Sequence, residues 1–242
     1  MTEQERLELI EKFKLFFKDG LIKNHKKNTL KLKNINEFQI NPFLLYYLAN
    51  YLEGNTNPES LAKALVYPRV LASSINTTFG TGMQRFITQI LGASGSISSG
   101  FDIEFIDQVD GRKKYCQLKS GPNGINKDDI TTIENHFRSI KNLARTNNVP
   151  LQFGDLVFCL LYGERREINS FIQKLEERDI AVYVGKEFWH HFTGEEQFYN
   201  HLIVAADEAS KEVDMRDEVD KVIKELSGKI TQHYGELFGG KI

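Results

Sequence analysis

Two runs of alternating residues meet at Asp110-Gly111. Ahead of this pair Phe101, Ile103 and Phe105 alternate with Asp102 and Glu104; behind it Tyr115, Gln117 and Lys119 alternate with Cys116 and Leu118. Period-2 patterning on both sides of Asp-Gly predicts a β-hairpin. The constraint is tight, because a slip of one residue turns every side chain to the opposite face. With Asp110 and Gly111 as the central turn residues, Asp102 faces Lys119 and Glu104 faces Gln117. Directly opposed residues have Cβ atoms about 4.5–5.5 Å apart, on one side of the sheet. Four polar groups therefore share one face, and Phe101, Ile103, Phe105, Cys116 and Leu118 share the other.

Such a face has two readings. On a solvated edge hairpin, Asp102 and Lys119 make a surface ion pair worth about 0–1 kcal/mol. Alternatively, the oxygens hold a hard divalent cation beside an ammonium group. Mg²⁺ takes one or two carboxylates, carbonyl oxygens, waters and substrate phosphate. Asp102 offers a carboxylate, Gln117 an amide oxygen and Leu118 a main-chain carbonyl, with Glu104 as a further carboxylate. Cation and lysine together can lower the pKa of a water and stabilise charge growing on phosphorus.

Around the hairpin the pattern is mostly helical. Thr2 and Glu5 form a capping box, and Leu7, Ile10, Phe13 and Phe17 predict an amphipathic helix ending near Asp19-Gly20, followed by a lysine-rich loop. An apolar helix is expected from Pro42 to Gly54 and a short one from Pro58 to Val66. The stretch from Arg69 to Gly82 reads as small and polar, with Gly80-Thr81-Gly82 as the entry loop of a helix over Met83–Leu91. A Gly-Lys-Ser/Thr ending is missing, which excludes a nucleotide-triphosphate loop. After the hairpin come a helix from about Lys127 to Thr146, a continuous apolar strand at Asp155–Tyr162, a helix, a short strand at Ile180–Val184 and further helices.

The 242 residues carry a formal net charge of −2, too low for a protein that coats nucleic acid indiscriminately. The charge is unevenly spread. Lys12 to Lys33 contains eight lysines and one acid, and Glu187 to Leu226 contains 11 acids and 4 bases. The lysine run is either a solvated face or a strip facing phosphates, whose neutralisation releases counterions. No apolar run approaches the ~20 residues that span a bilayer, and the acidic, polar N-terminus is unlike a signal peptide. Cys116 and Cys159 sit in apolar runs, as buried thiols in a reducing, cytoplasmic compartment would.

Gly100-Phe101-Asp102-Ile103-Glu104, followed by Gln117-Leu118-Lys119-Ser120-Gly121-Pro122, resembles the PD-(D/E)XK nuclease superfamily. The similarity is closer still to type II restriction endonucleases that cut interrupted GGNCC-type palindromes. Asn41-Pro42-Phe43, Asp110-Gly111-Arg112, the stretch Val182-Tyr183-Val184-Gly185-Lys186-Glu187-Phe188-Trp189, and Lys211-Glu212-Val213 carry it over most of the chain. The resemblance implies an α/β fold: a restriction-endonuclease-like αβββαβ core, with a mixed sheet flanked by helices and helical extensions at both ends. It divides the chain into a helical region at 1–68 (dimerisation or DNA arm), a catalytic core at 69–192, and acidic helices at 193–242 packing on the first region.

Carried over by position, Asp102 matches the metal-binding aspartate, Gln117 the D/E position and Lys119 the catalytic lysine. Gln117 departs from the pattern by placing a neutral amide where a carboxylate is usual; Gln84 stands where some relatives carry glutamate. The resemblance turns the Arg138, Lys141 and Arg145 stripe toward DNA, with Ser120, Asn123 and Asn126 as further contacts. It implies Mg²⁺-dependent (or Mn²⁺-dependent) hydrolysis of double-stranded DNA to 5′-phosphate ends by a homodimer, with a companion DNA methyltransferase and no membrane partner. A structure-specific repair nuclease with the same core and a catalytically inactive DNA-binding protein are the alternatives.

Overall fold

A computed structural model of the chain describes residues 1–89, 94–95, 102–122, 125–148, 150–152, 154–178 and 180–238. Two compact units emerge, one of residues 1–14 and 80–208, the other of residues 15–79 and 209–242. These boundaries differ from the expected divisions after residues 68 and 192. Among the described residues no helix is long and apolar enough to cross a membrane.

Helices α1 (Glu3–Phe16) and α2 (Lys23–Lys31) are joined by a π-helical turn at Phe17–Ile22. The expected stop at Asp19-Gly20 and the lysine-rich loop are thus both corrected to helix. A glycine costs a helix only about 1 kcal/mol relative to alanine, and here the Phe16 ring packs where a Gly20 Cβ would stand, 3.3 Å away. Leu21 and Leu32 are buried, which anchors the segment despite its lysines. Next come α3 (Pro42–Glu53) and α4 (Pro58–Pro68). Asn41 caps α3 through its side-chain oxygen, and Gly54 ends it in the left-handed region at φ 72°.

A second π-helical turn, Arg69–Ser73, leads into α5 (Ser74–Gln89). Gly80-Thr81-Gly82 therefore lies inside a helix rather than in an entry loop; Ile90 and Leu91 fall outside the described residues. The sheet follows as β1 (Ser94–Gly95), β2 (Ile103–Ile106), β3 (Lys113–Lys119), then helix α6 (Lys127–Thr146) and β4 (Leu156–Leu160). Helix α7 (Ser170–Glu176), β5 (Ala181–Val184), α8 (Lys186–Thr193), α9 (Phe198–Lys211) and α10 (Arg216–Phe238) complete the chain.

Strand order is β1-β2-β3-β4-β5. The first two pairings are antiparallel and the last two parallel. The mixed sheet flanked by helices is the α/β, restriction-endonuclease-like arrangement expected, with helical extensions. One face carries Phe158, Leu160, Val182 and Val184 against Ile133, Phe137 and Ile140 of α6 and Ile172 and Leu175 of α7. On the other, Phe105 meets Phe188 and Phe192 of α8 edge-on, with centroids 6.2 and 5.1 Å apart. All five residues of β4 are buried. Each fully buried apolar side chain contributes about 1.5–3 kcal/mol, so β4 is the axis of the unit. Cys116 and Cys159 are buried free thiols.

In the second unit, Val222, Ile223, Leu226 and Ile230 of α10 pack with Leu45 and Ala49 of α3 and Leu61, Ala62 and Val66 of α4. Ion pairs account for the charge asymmetry. Lys14 meets Glu208 at 2.7 Å and Lys33 meets Glu225 at 3.6 Å, while Lys18 pairs with Glu212 and Lys26 with Glu218. Half of the eight lysines are thus neutralised within the chain, not reserved for phosphates. Each such exposed pair is worth about 0–1 kcal/mol.

The hairpin forms, but two residues out of the expected register. Ile103 pairs with Cys116 and Glu104 with Tyr115; the pairing ends there, and the Asp102 N–H bonds the Cys116 carbonyl. Asp107 causes the shift. Its main-chain N–H bonds the Arg112 carbonyl at 2.9 Å, closing a four-residue loop over 108–111, and its carboxylate accepts from the N–H groups of Val109 and Asp110. The loop centre moves to Val109-Asp110, and Gly111 takes the left-handed position at φ 72°. A shift of two preserves parity, so Glu104 stays on the face of Gln117 and Lys119.

Below the loop lies a buried charge cluster. Lys114, 1 % exposed, sits among Asp107 at 3.7 Å, Asp155 at 3.9 Å and Asp110. Asp155 also accepts from the Arg112 guanidinium. Burial alone would raise the Asp155 carboxyl, but the Arg112 hydrogen bond, the Gln152 N–H and nearby cations hold it below the usual carboxylate range. Removing the central cation strands buried carboxylates. Lys114→Ala is expected to lower unfolding free energy by about 3–5 kcal/mol, read from urea titration; a loss below about 1 kcal/mol contradicts this account.

Candidate active site

The site begins where β2 ends. Strand β3 runs on past Cys116 with its even-numbered main-chain groups facing β2; its odd-numbered ones face β4, as the Tyr115 N–H to Asp155 carbonyl and Leu161 N–H to Lys119 carbonyl bonds show. With β2 finished at Ile103, the Leu118 N–H takes the Asp102 carboxylate at 2.7 Å. The Asp102 N–H bonds the Cys116 carbonyl at 3.1 Å. In a strand the N–H and C=O of one residue point the same way, so the Leu118 carbonyl shares this edge with Asp102. The other Asp102 oxygen accepts from the Gln84 amide of α5 at 3.2 Å. Gln84 is thus a holder of the carboxylate, a role its sequence position only suggested.

Gln117 is buried, and its Oε1 has no hydrogen-bond partner among the described residues. An unpaired buried amide oxygen costs about 1–3 kcal/mol. Lys119, half-buried at the end of β3, makes no ion pair or hydrogen bond through its ammonium among the described residues. It is near enough to Asp102 to pull that carboxyl's pKa down, without forming an ion pair with it. Glu104 is differently placed: it lies opposite Tyr115 and is ion-paired with Lys113 at 2.7 Å.

Burial dominates the electrostatics of Asp102. It pushes the carboxyl above its usual range, against the opposing pull of the Leu118 N–H, the Lys119 ammonium, the Gln84 amide and His136. His136 was not singled out by the sequence. It lies on α6, and its Nδ1 is a second buried polar atom without a partner among the described residues. Its spacing after Ile133, one helical turn, was the available signal.

The remaining candidates are distributed differently. Ser120 follows Lys119 and approaches α5, where a Cβ on Gly80 would come within 2.8 Å of its Oγ. Gly80 therefore serves close approach of helix and strand. Asn126 caps α6: its Oδ1 accepts from the N–H groups of Asp128 and Asp129, and Asp129 returns the bond. Asn123 lies outside the described residues. Arg138, Lys141 and Arg145 are exposed on α6. At 100° per residue they occupy the flank turned away from His136, so they are not gathered with Asp102.

A divalent cation fits the oxygens present. The set is one carboxylate (Asp102), one unsatisfied amide oxygen (Gln117) and one main-chain carbonyl (Leu118), all hard donors. Among the described residues no three His, Cys, Asp or Glu side chains form a metal-holding group. Water and substrate phosphate would have to complete the shell, as they commonly do for Mg²⁺.

A family model described as type II restriction endonuclease EcoO109I matches residues 7–214. No curated protein matches the chain.

Because its folded-state pKa is raised, ionising Asp102 penalises the native state more than the unfolded one. The penalty is absent below the ordinary carboxylate pKa of ~3.9 and grows as pH rises through it. Asp102→Asn keeps an oxygen for the Leu118 N–H and removes the charge. In metal-free buffer its melting temperature should exceed that of the wild type at pH 7 and converge with it below about pH 4. Thermal unfolding across pH measures this; a wild type more stable at pH 7 refutes it.

Proposed function

The chain belongs to the type II restriction endonuclease EcoO109I family, and on that premise we propose that it cleaves both strands of DNA at a short palindrome, with Asp102, Gln117 and Lys119 as its catalytic residues and Mg²⁺ as its cation. The family makes it a nuclease acting on DNA. The observation that carries the finer reading is the Gln117 Oε1, buried and without a partner among the described residues beside a carboxylate whose charge is penalised by burial.

In this reading Asp102, Gln117 and the Leu118 carbonyl hold the cation, and Mn²⁺ can substitute. When bound, the cation supplies positive charge against the pentavalent phosphorus. Gln84 and the Leu118 N–H fix the Asp102 oxygens so that no reorganisation is needed as charge develops. The Lys119 ammonium orients and polarises the attacking water, and the bond broken is that between phosphorus and the 3′ oxygen, leaving 5′-phosphate ends. Glu104 adds a second carboxylate only if it leaves Lys113. Ser120, Asn123, the Asn126 amide nitrogen, Arg138, Lys141 and Arg145 are the DNA contacts. A GGNCC-like target is favoured by the resemblance of the motifs. A homodimer gives two active sites related by the symmetry of the palindrome. The enzyme works in the cytoplasm beside a companion DNA methyltransferase, and the regions 1–68, 69–192 and 193–242 serve dimerisation, catalysis and support.

Plasmid digestion with Mg²⁺, followed by run-off sequencing of the ends, is the direct test. Fixed-position double-strand breaks at one palindromic site are expected. Lys119→Ala should slow cleavage about 10²–10⁴-fold, the scale of a positioned acid–base or charge-stabilising group. Equal rates would remove Lys119 from the mechanism.

Gln117→Glu supplies the second carboxylate. It should lower the Mg²⁺ concentration for half-maximal cleavage several-fold, because cation affinity rises with ligand charge. An unchanged or higher requirement would take Gln117 out of the cation's shell.

A further inference from the structure

Helix α2 ends beside a cavity of about 450 Å³ whose lining residues all belong to the second unit. Two exposed cations stand in its wall, Lys31 from the last turn of α2 and Arg69 from the π-helical turn after α4. Lys26 and Lys33, on either side of Lys31 in sequence, are paired with Glu218 and Glu225 of α10. Lys31 and Arg69 have no carboxylate partner among the described residues.

Neighbouring contacts hold both cations at the cavity. Lys31 donates to the Asn28 Oδ1 at 3.3 Å, an i, i+3 contact on the lining face of α2, which leaves its other ammonium donors open. The His25 Nε2–H donates to the Val70 carbonyl at 2.9 Å and so ties α2 to the turn that carries Arg69. Thr29 also lines the cavity. It is 2 % exposed, and its Oγ1 has no hydrogen-bond partner among the described residues. Buried hydroxyls are ordinarily paired, and this one sits where a ligand oxygen would satisfy it.

We propose that this cavity binds a phosphate group, carried by a small polar molecule that also presents hydroxyls. Lys31 and Arg69 supply charge-assisted donors, the guanidinium in the fork geometry that suits phosphate oxygens. Thr29, Thr77 and Thr78 bring hydroxyls to the same wall, each able to donate to an oxygen or accept from one. Glu37, an exposed carboxylate of that wall, repels a bare anion and accepts from a hydroxyl. Two cations outweigh it, so phosphate is retained and the carboxylate selects a molecule with hydroxyls beside that phosphate. The size agrees, since small-molecule sites span ~300–1,000 Å³. A phosphodiester of duplex DNA is the other source of the same chemistry. The inference is independent of the endonuclease reading, because these residues belong to the unit that does not contain Asp102.

The test is isothermal titration calorimetry of the full-length chain with ribose 5-phosphate, inorganic phosphate and ribose. Fluorescence anisotropy of a random-sequence duplex oligonucleotide, without Mg²⁺, runs beside it. Ribose 5-phosphate is expected to bind at submillimolar concentration, inorganic phosphate about 10-fold more weakly or worse, and ribose not measurably. Lys31→Met with Arg69→Met should weaken the sugar phosphate about 30-fold or more. Far-UV circular dichroism should not change, both side chains being exposed. Thr29→Val should weaken binding several-fold without lowering the melting temperature of the ligand-free chain, because the hydroxyl it removes has no partner among the described residues. A merely structural threonine would leave the affinity where it was. Suppose instead that ribose 5-phosphate does not bind, while the double variant loses duplex affinity and its salt dependence flattens by about two phosphate contacts. The phosphate site then stands, with DNA as its source. The proposal is overturned if ribose 5-phosphate binds the double variant as tightly as the wild type. It is equally overturned if neither phosphate compound binds and duplex affinity and salt dependence are the same in both chains.

Discussion

The hydrogen bond from the Leu118 N–H to the Asp102 carboxylate organises the candidate site. Pairing of β2 with β3 begins at Ile103 and Cys116, and β3 continues beyond it to Lys119, where among the described residues a carboxylate meets the Leu118 N–H. That contact brings a negative charge beside the Leu118 carbonyl and into partial burial, where its ionised form is disfavoured. Gln84 from α5 and Gln117 from β3 then surround it, so helix, strand end and ladder terminus converge on one carboxyl group.

The site also shows how a neutral residue can occupy a place where a second carboxylate would be expected. Burying a second anion beside Asp102 without a cation would raise both carboxyl pKa values further. An amide avoids that repulsion at the cost of an unsatisfied oxygen. Glu104, on the same face as Gln117, has its charge answered by Lys113. The unit thus keeps anionic charge low near the edge where a phosphodiester would have to approach, and this favours approach of an anion.

Much of this was legible in residue order. Period-2 alternation around Asp110-Gly111 correctly placed Glu104, Gln117 and Lys119 on one face, because parity survives any even register shift. The shift itself was hidden: it follows from the Asp107 side chain capping the loop, and an Asx turn competes with an Asp-Gly turn only in three dimensions. Glycines misled twice. Gly20 and Gly80 read as helix breaks, whereas each sits inside a helix where its missing side chain admits a neighbour, Phe16 in one case and Ser120 in the other. The lysine run looked like a phosphate strip because its acidic partners, Glu208, Glu212, Glu218 and Glu225, lie about 190 residues away. His136 escaped notice for a similar reason: nothing local distinguishes it from any other helical histidine.

Strands β3 and β4 carry the two thiols toward the same interior. Burial and the neighbouring Cys116 sulfur raise the Cys159 thiol well above its ordinary pKa, so the nucleophilic thiolate is almost absent in the folded chain. Burial also shields both sulfurs from alkylating reagents and peroxides while the sheet is closed. Their modification rate becomes a clock for the opening of the parallel strand pair, reporting how often the central layer of the molecule comes apart.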